Sequence, residues 1–237
     1  IGQRLMRKLA GGVWMPLNDD NEIEPQDGCD LITTIDINIQ DVAEHALYTQ
    51  LAKNNASHGC VVLMEVKTGE IKAIANLARQ DSGFYFESFN RAIGESTEPG
   101  STFKLASLMA AMEDGYVNLT DNVDIEDGTH KFYDLIIKDS HHPEKRNITI
   151  KEVFEQSSNV GVAKTIYKYY AKDPQKFIDR LCKMNLNVPL NLSIPGEAYP
   201  KIKNTTDKDW SGTTLPSMSR GYEVMLTPMQ ILAFYNA

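Results

Sequence analysis

A serine and a lysine three residues apart could form a nucleophile and its base. Ser101 and Lys104 open a segment that is apolar on every side as far as Met112, which indicates a helix buried in the protein interior. Positions three apart share a helix face, so the amine would lie beside the hydroxyl. A serine hydroxyl attacks only when a neighbouring group accepts its proton. The pair therefore indicates nucleophilic catalysis.

The lysine can act as a base only in its neutral form. An ordinary lysine pKa near 10.4 makes the neutral amine cost about 4.6 kcal/mol at pH 7. Apolar neighbours such as Phe103, Leu105 and Leu108 would lower that pKa by desolvation. The spacing is weak evidence, because about one S-x-x-K is expected by chance in a chain of this length. The alternative is a helix-capping serine followed by a lysine that reaches the surface.

A second polar group lies at Ser157-Ser158-Asn159. It falls between a helix that begins at Thr149 and a helical run from Val160 to Tyr170. A corner between two helices could aim Ser157 and Asn159 into one cleft, where a hydroxyl relays a proton and an amide holds a substrate carbonyl. The alternative is a polar turn that only satisfies the helix ends.

The elements around these residues indicate an α+β protein. Leu31–Ile35 is predicted to form a short strand, and Asp36 to cap an amphipathic helix that reaches Leu51. Two runs with β-branched residues, 60–66 and 70–75, predict a hairpin that turns at Gly69. Helices dominate the later part of the chain, with start signals at Thr149-x-x-Glu152, Asp173-Pro174 and Thr227-Pro228. This order predicts a sheet with a helical subdomain.

Composition excludes several kinds of partner. The formal net charge of −8 would repel a chain of phosphates, so no nucleic acid is expected. No apolar run approaches the roughly 20 residues that a membrane span needs. The cysteines form no C-x-x-C pair. His141 and His142 lie in a polar loop and are predicted to be solvated, so they are not expected to form a metal site with His130. We expect no metal and no cofactor.

The segment from Glu98 to Lys104, followed by Ser157-Ser158-Asn159-Val160-Gly161, resembles the transpeptidase domain of class B penicillin-binding proteins. Further segments resemble this family in the family's order over roughly residues 28–237: 31–36, 67–71, 90–92 and 221–230. The resemblance implies the penicillin-binding/β-lactamase-like transpeptidase fold, an antiparallel sheet packed by helices with a helical subdomain. Residues 1–30 are then predicted to be a linker or the tail of a preceding non-catalytic domain, and 31–237 the transpeptidase domain.

The resemblance also implies roles. Ser101 would be the acylated nucleophile, Lys104 its base, and Ser157 and Asn159 the proton-relaying and substrate-orienting pair. The substrate would be a peptidoglycan stem peptide ending in D-Ala-D-Ala, which β-lactams mimic, with no metal or cofactor. The parent protein would be anchored at the extracytoplasmic, periplasmic face of a bacterial inner membrane beside other wall-synthesis proteins, and this chain would be soluble. Glu98 before Pro99-Gly100 favours division-type members.

One family motif is expected beyond this chain. Family members carry K-T-G or K-S-G on a strand several tens of residues after the Thr227-Pro228 helix, so an incomplete sheet and impaired activity are expected of these residues alone. Lys67-Thr68-Gly69 and Ser88-Phe89-Asn90 precede Ser101 and are therefore not expected to be the family's catalytic motifs; the first resembles the family's hairpin turn between two strands. Two alternatives remain: a β-lactamase or β-lactam sensor of the same fold, and a non-catalytic module of a wall-synthesis complex.

Overall fold

The computed structural model describes residues 6–16 and 28–237. The chain divides into two compact units, residues 1–34 and 35–237. In the first unit, strand β1 (Met6–Lys8) pairs antiparallel with β2 (Trp14–Pro16). The assignment of 1–30 to a linker or a preceding domain stays a prediction, and its residues 1–5 and 17–27 lie outside the described part of the chain.

Helix α1 (Ile37–Lys53) begins where the sequence predicts. The Asp36 side chain caps it by accepting hydrogen bonds from two backbone N–H groups of the first turn, at 2.9 and 3.3 Å. Its buried positions, Ala43, Leu47 and Leu51, are spaced four apart and form one face. This face packs on the sheet that follows.

The sheet contains three antiparallel strands in the order β3 (His58–Met64), β4 (Ile71–Arg79) and β5 (Tyr85–Glu87). The predicted hairpin is confirmed, and its second strand extends beyond the predicted end. Gly69 has a φ of +74° in the connecting turn, a conformation that glycine adopts without strain.

The strand predicted at Leu31–Ile35 is wrong. Residues 28–36 lie outside every described strand, and Leu31 and Ile32 are 83 % and 95 % exposed. A strand is stable only when neighbouring backbone completes its hydrogen-bond ladder. The apolar composition that indicated a strand is therefore not sufficient here.

The remaining helices follow in chain order, interrupted by three two-stranded pairs. The helices are α2 (Arg91–Gly94), α3 (Lys104–Glu113), α4 (Ile150–Glu155), α5 (Asn159–Tyr170), α6 (Pro174–Lys183), α7 (Thr214–Met218) and α8 (Pro228–Asn236). The short strands are β6 (Asn122–Asp124) with β9 (Asn147–Thr149), β7 (Thr129–Phe132) with β8 (Leu135–Lys138), and β10 (Lys201–Ile202) with β11 (Val224–Met225). The α+β class is confirmed.

The larger hydrophobic core lies among these helices. Tyr170 and Phe177 are fully buried between α3, α5 and α6. The Tyr170 hydroxyl donates to the carbonyl of Ala110 at 3.0 Å, which links α5 to α3. Burial and hydrogen bonding together raise the pKa of this hydroxyl far above its ordinary range. The core therefore fixes the two helices that carry the candidate site residues.

The helix starts agree with the sequence signals in most cases. Thr149 and Thr227 each form a capping box with the residue three positions later. Pro174 opens α6 as predicted, but the Asp173 side chain makes no capping hydrogen bond. None of the helices in residues 6–16 and 28–237 combines the length and the apolar character that a membrane span requires.

Candidate active site

Ser101 lies on a 3-10 turn, Gly100–Phe103, that leads directly into α3. The predicted helix therefore begins as a 3-10 turn and becomes α-helical only at Lys104. Ser101 is exposed, whereas Lys104 is 1 % exposed. A hydroxyl open to solvent thus precedes a buried amine by about one turn. The hydrogen bonds that this amine donates go to Ser157, and its predicted place beside the Ser101 hydroxyl stays a prediction.

The amine of Lys104 points into the protein. It donates hydrogen bonds to the carbonyl of Ser157 at 2.5 Å and to its hydroxyl at 3.0 Å. Burial lowers the pKa of Lys104 from an ordinary 10.5 to about 8; the charge of Asp139 raises it and that of Arg220 lowers it. At pH 7 roughly one amine in ten is then neutral. A lysine that reaches the surface is excluded.

Ser157 occupies an unusual backbone position at the end of α4. Its N–H donates to the carbonyl of Phe154, and the next N–H, of Ser158, donates to Val153, at 3.0 and 2.9 Å. This pair of bonds is the Schellman ending of a helix, in which the left-handed position is usually glycine. Ser157 adopts it with a φ of +53°, at a cost of roughly 1 kcal/mol. The strained residue presents both its carbonyl and its hydroxyl to Lys104.

Ser158 and Asn159 begin α5. The Ser158 hydroxyl accepts from the N–H of Gly161 at 2.9 Å and caps the helix. Ser158 therefore has the purely structural role that the sequence leaves open as the alternative. Asn159 is half-buried, and its side-chain amide donates to the carbonyl of Lys138 at 2.8 Å. The corner therefore separates a structural serine from Ser157, which contacts the lysine.

A distant segment holds the turn that carries Ser101. The N–H of Gly100 donates to the carbonyl of Gly221 at 3.0 Å, and the side chain of Glu98 accepts from the N–H of Glu223 at 2.9 Å. Gly221 has a φ of +82°, and a Cβ atom there would overlap the carbonyl oxygen of Gly100. A side chain at position 221 would therefore displace the Ser101 turn.

Replacing Gly221 with alanine is expected to lower the melting midpoint by about 5 °C or more. It is also expected to slow the acylation of Ser101 by a β-lactam about tenfold. Both strain and steric overlap contribute, since the Cβ displaces the backbone of Gly100. The matched control is Gly83→Ala, because Gly83 has a similar φ of +85° with nothing within 4 Å of its added Cβ. Equal effects of the two substitutions would contradict the role of the Gly100 contact.

Two charged residues that act on Lys104 are not predicted from the sequence. Asp139 follows β8, and Arg220 precedes Gly221. The only sequence signal for Asp139 is its place at the start of the polar loop with His141 and His142, which attracts attention as a possible metal site. The influence of Asp139 and Arg220 on the pKa of Lys104 arises from the folded arrangement and not from their spacing in the sequence.

The other motifs lie apart from this arrangement. Lys67-Thr68-Gly69 forms the turn between β3 and β4, and Ser88-Phe89-Asn90 connects β5 to α2. His141 and His142 are exposed, as predicted, and His130 lies 2.7 Å from a carboxylate oxygen of Glu126. Within residues 6–16 and 28–237 no three His, Cys, Asp or Glu side chains are grouped as metal ligands would be.

Comparison with known proteins places most of the chain in one domain type. Residues 59–237 match the family model of the penicillin binding protein transpeptidase domain. The chain is 30 % identical to the peptidoglycan D,D-transpeptidase FtsI of Escherichia coli over 99 % of its length. It is 27 % identical to the probable peptidoglycan D,D-transpeptidase PenA of Neisseria gonorrhoeae over 98 % of its length. It spans 39 % of the length of each relative.

Solved structures agree with the fold. The transpeptidase domain of penicillin-binding protein 3 from Burkholderia pseudomallei superposes with a TM-score of 0.74 at 23 % identity. The match covers 86 % of this chain and 57 % of that one. A peptidoglycan glycosyltransferase from Burkholderia ambifaria gives the same TM-score at 24 % identity, with 86 % of this chain and 60 % of the other covered.

Proposed function

Since the chain belongs to the penicillin-binding protein transpeptidase domain family, we propose that it forms part of a peptidoglycan D,D-transpeptidase that works through an acyl ester on Ser101. The observation that carries this proposal is the buried amine of Lys104, one turn after an exposed hydroxyl and bonded to Ser157. No metal or cofactor takes part in the proposed reaction.

In the first half of the reaction, neutral Lys104 accepts the proton of the Ser101 hydroxyl. The oxygen attacks the carbonyl of the penultimate D-Ala, and N–H groups at the start of the helix favour the negative charge that develops there. The amide C–N bond breaks. The proton passes from the lysine through the Ser157 hydroxyl to the nitrogen of the leaving D-Ala.

In the second half, an amine of a neighbouring stem peptide attacks the ester. Its nitrogen forms the new amide bond, the ester C–O bond breaks, and its proton returns through Ser157 and Lys104 to Ser101. Asn159 orients the substrate by donating to a peptide carbonyl, and its bond to the Lys138 carbonyl limits the positions that the amide can take. The result is a cross-link between two stems.

We place the parent protein at the extracytoplasmic face of a bacterial inner membrane, where it would be anchored and act with other division or wall-synthesis proteins. The FtsI relative is named a peptidoglycan D,D-transpeptidase and the PenA relative a probable one, which supports a place of action at the cell wall. The Glu98-Pro99-Gly100 sequence supports the division role. β-Lactams would acylate the same serine as the stem peptide. We propose that these 237 residues alone react more slowly than a chain that also carries the family's K-T-G strand, because that strand supplies a further backbone donor to the developing oxyanion.

The test is incubation of the protein at full length with benzylpenicillin, followed by mass spectrometry. A gain of one penicillin, mapped to the peptide that contains Ser101 and held long after removal of free drug, is the expected result. Rapid release would identify a β-lactamase instead. A complete absence of the adduct would contradict the enzymatic proposal and favour the non-catalytic interaction module.

A further inference from the structure

We propose that Asp139 is a positioning residue for this reaction. Its carboxylate fixes the start of α5 and, through it, the corner that carries Ser157 and Asn159. The inference deepens the proposed function and rests on it. It concerns a side chain that takes no part in the proton transfers described above.

The carboxylate makes two hydrogen bonds to the first turn of α5. One oxygen accepts from the hydroxyl of Ser158 at 2.8 Å, and the other accepts from the backbone N–H of Val160 at 2.9 Å. The Ser158 hydroxyl in turn accepts from the N–H of Gly161. Asp139 thus bonds the residue on each side of Asn159. A negative charge at this end of a helix is also favoured by the helix dipole.

The corner needs such support because its backbone is strained. A non-glycine residue with a positive φ persists only where surrounding bonds over-determine its conformation. The Schellman bonds hold Ser157 from the side of α4, and Asp139 holds Ser158 from the side of α5. Loss of the carboxylate would remove two of the bonds that hold the α5 side, so the contact from Ser157 to Lys104 would loosen.

Asp139 is itself firmly placed. Its N–H donates to the carbonyl of Gly128 at 2.8 Å, beside the β7–β8 pair. The preceding residue, Lys138, offers its carbonyl to the Asn159 side chain. Two consecutive residues at the end of β8 therefore hold the backbone on both sides of Asn159 and its side-chain amide.

The same carboxylate acts on Lys104 through its charge. The charged groups that act on this amine are Asp139, which raises its pKa, and Arg220, which lowers it. When Lys104 accepts the serine proton, the ammonium that forms is stabilised by Asp139. The charge therefore favours proton transfer, but it also reduces the fraction of neutral base below pH 8.

Two variants separate the contribution of the hydrogen bonds of Asp139 from the contribution of its charge. Asp139→Asn keeps a side chain of the same shape that can still bond the corner, but removes the charge. It is expected to lower the pKa of Lys104, which NMR of the lysine Cε and Nζ measures. The rise of the penicillin acylation rate with pH should then begin at lower pH, and the maximal rate at high pH should fall about threefold. Asp139→Ala also removes the bonds, so acylation should fall 10- to 100-fold, with faster amide exchange at Val160 and Gly161.

The matched control is Asp134→Asn, because Asp134 is exposed on the turn between β7 and β8. It should leave the Lys104 titration, the exchange rates and acylation unchanged. An unchanged Lys104 titration in Asp139→Asn together with unchanged exchange in Asp139→Ala would overturn the inference. If the wild-type protein forms no adduct, the proposed function fails, while titration and exchange still decide the role of Asp139.

Discussion

A Ser101→Ala variant is expected to gain no mass from benzylpenicillin under conditions in which the wild-type protein is fully modified. The substitution removes the attacking oxygen, and the neighbouring Thr102 hydroxyl already donates to the carbonyl of Pro99 at 2.8 Å. Because Ser101 is exposed, the Ser101→Ala protein should fold normally. Intact-protein mass spectrometry gives the occupancy directly, and a melting curve verifies the fold.

The control for this variant is Ser88→Ala. Ser88 is an exposed serine that begins a second S-x-N sequence between β5 and α2, outside the arrangement around Lys104. The Ser88→Ala protein should be modified as fully as the wild type. An adduct that persists in Ser101→Ala would assign the reaction to another residue and contradict the proposed mechanism.

The parts of the fold that the sequence predicts are those with local causes. The capping box at Thr149, the proline at the start of α6 and the glycine in the β3–β4 turn all act within a few residues. Such signals do not depend on the rest of the chain. The strand predicted at Leu31–Ile35 lacked this kind of support, because a strand depends on a partner strand whose distance in sequence is not fixed.

The candidate site divides in the same way. The burial of Lys104 follows from its apolar neighbours. Its place beside the Ser101 hydroxyl rests on their spacing and stays a prediction. By contrast, the contact of Gly100 with Gly221 joins residues far apart in sequence, and no local pattern specifies it. The left-handed conformation of Ser157 is also hidden, because a serine in that position gives no signal of the kind that glycine would.

The burial of Lys104 costs stability. A fall in its pKa from 10.5 to about 8 corresponds to about 3 kcal/mol against folding. This penalty is fully present below pH 8, where both the folded and unfolded states are protonated. It disappears as the pH rises through 10.5, because the unfolded state then loses its proton as well. A residue retained at such a cost is typical of a functional site.

Replacing Lys104 with methionine or arginine is therefore expected to reduce acylation 100- to 10,000-fold, the range that a general base contributes. Methionine has no proton acceptor of use here, and arginine stays charged at every accessible pH. Wild-type acylation should rise about tenfold per pH unit up to a pKa near 8 and then level, whereas neither variant should show this limb. Stopped-flow acylation between pH 5.5 and 9.5 measures both effects.

The melting midpoints of the variants show whether a loss of acylation comes from lost chemistry or from lost folding. Lys104→Met loses two hydrogen bonds of about 1 kcal/mol each but also loses the penalty of a buried ammonium, so its melting midpoint at pH 7 should stay within about 5 °C of the wild type. Lys67→Arg, at an exposed position in the β3–β4 turn, is the matched control and should retain the full rate and the acid limb. A Lys104→Met protein that is acylated at the wild-type rate would show that another group accepts the serine proton, and the neutral amine beside Ser157 would then have no part in the chemistry.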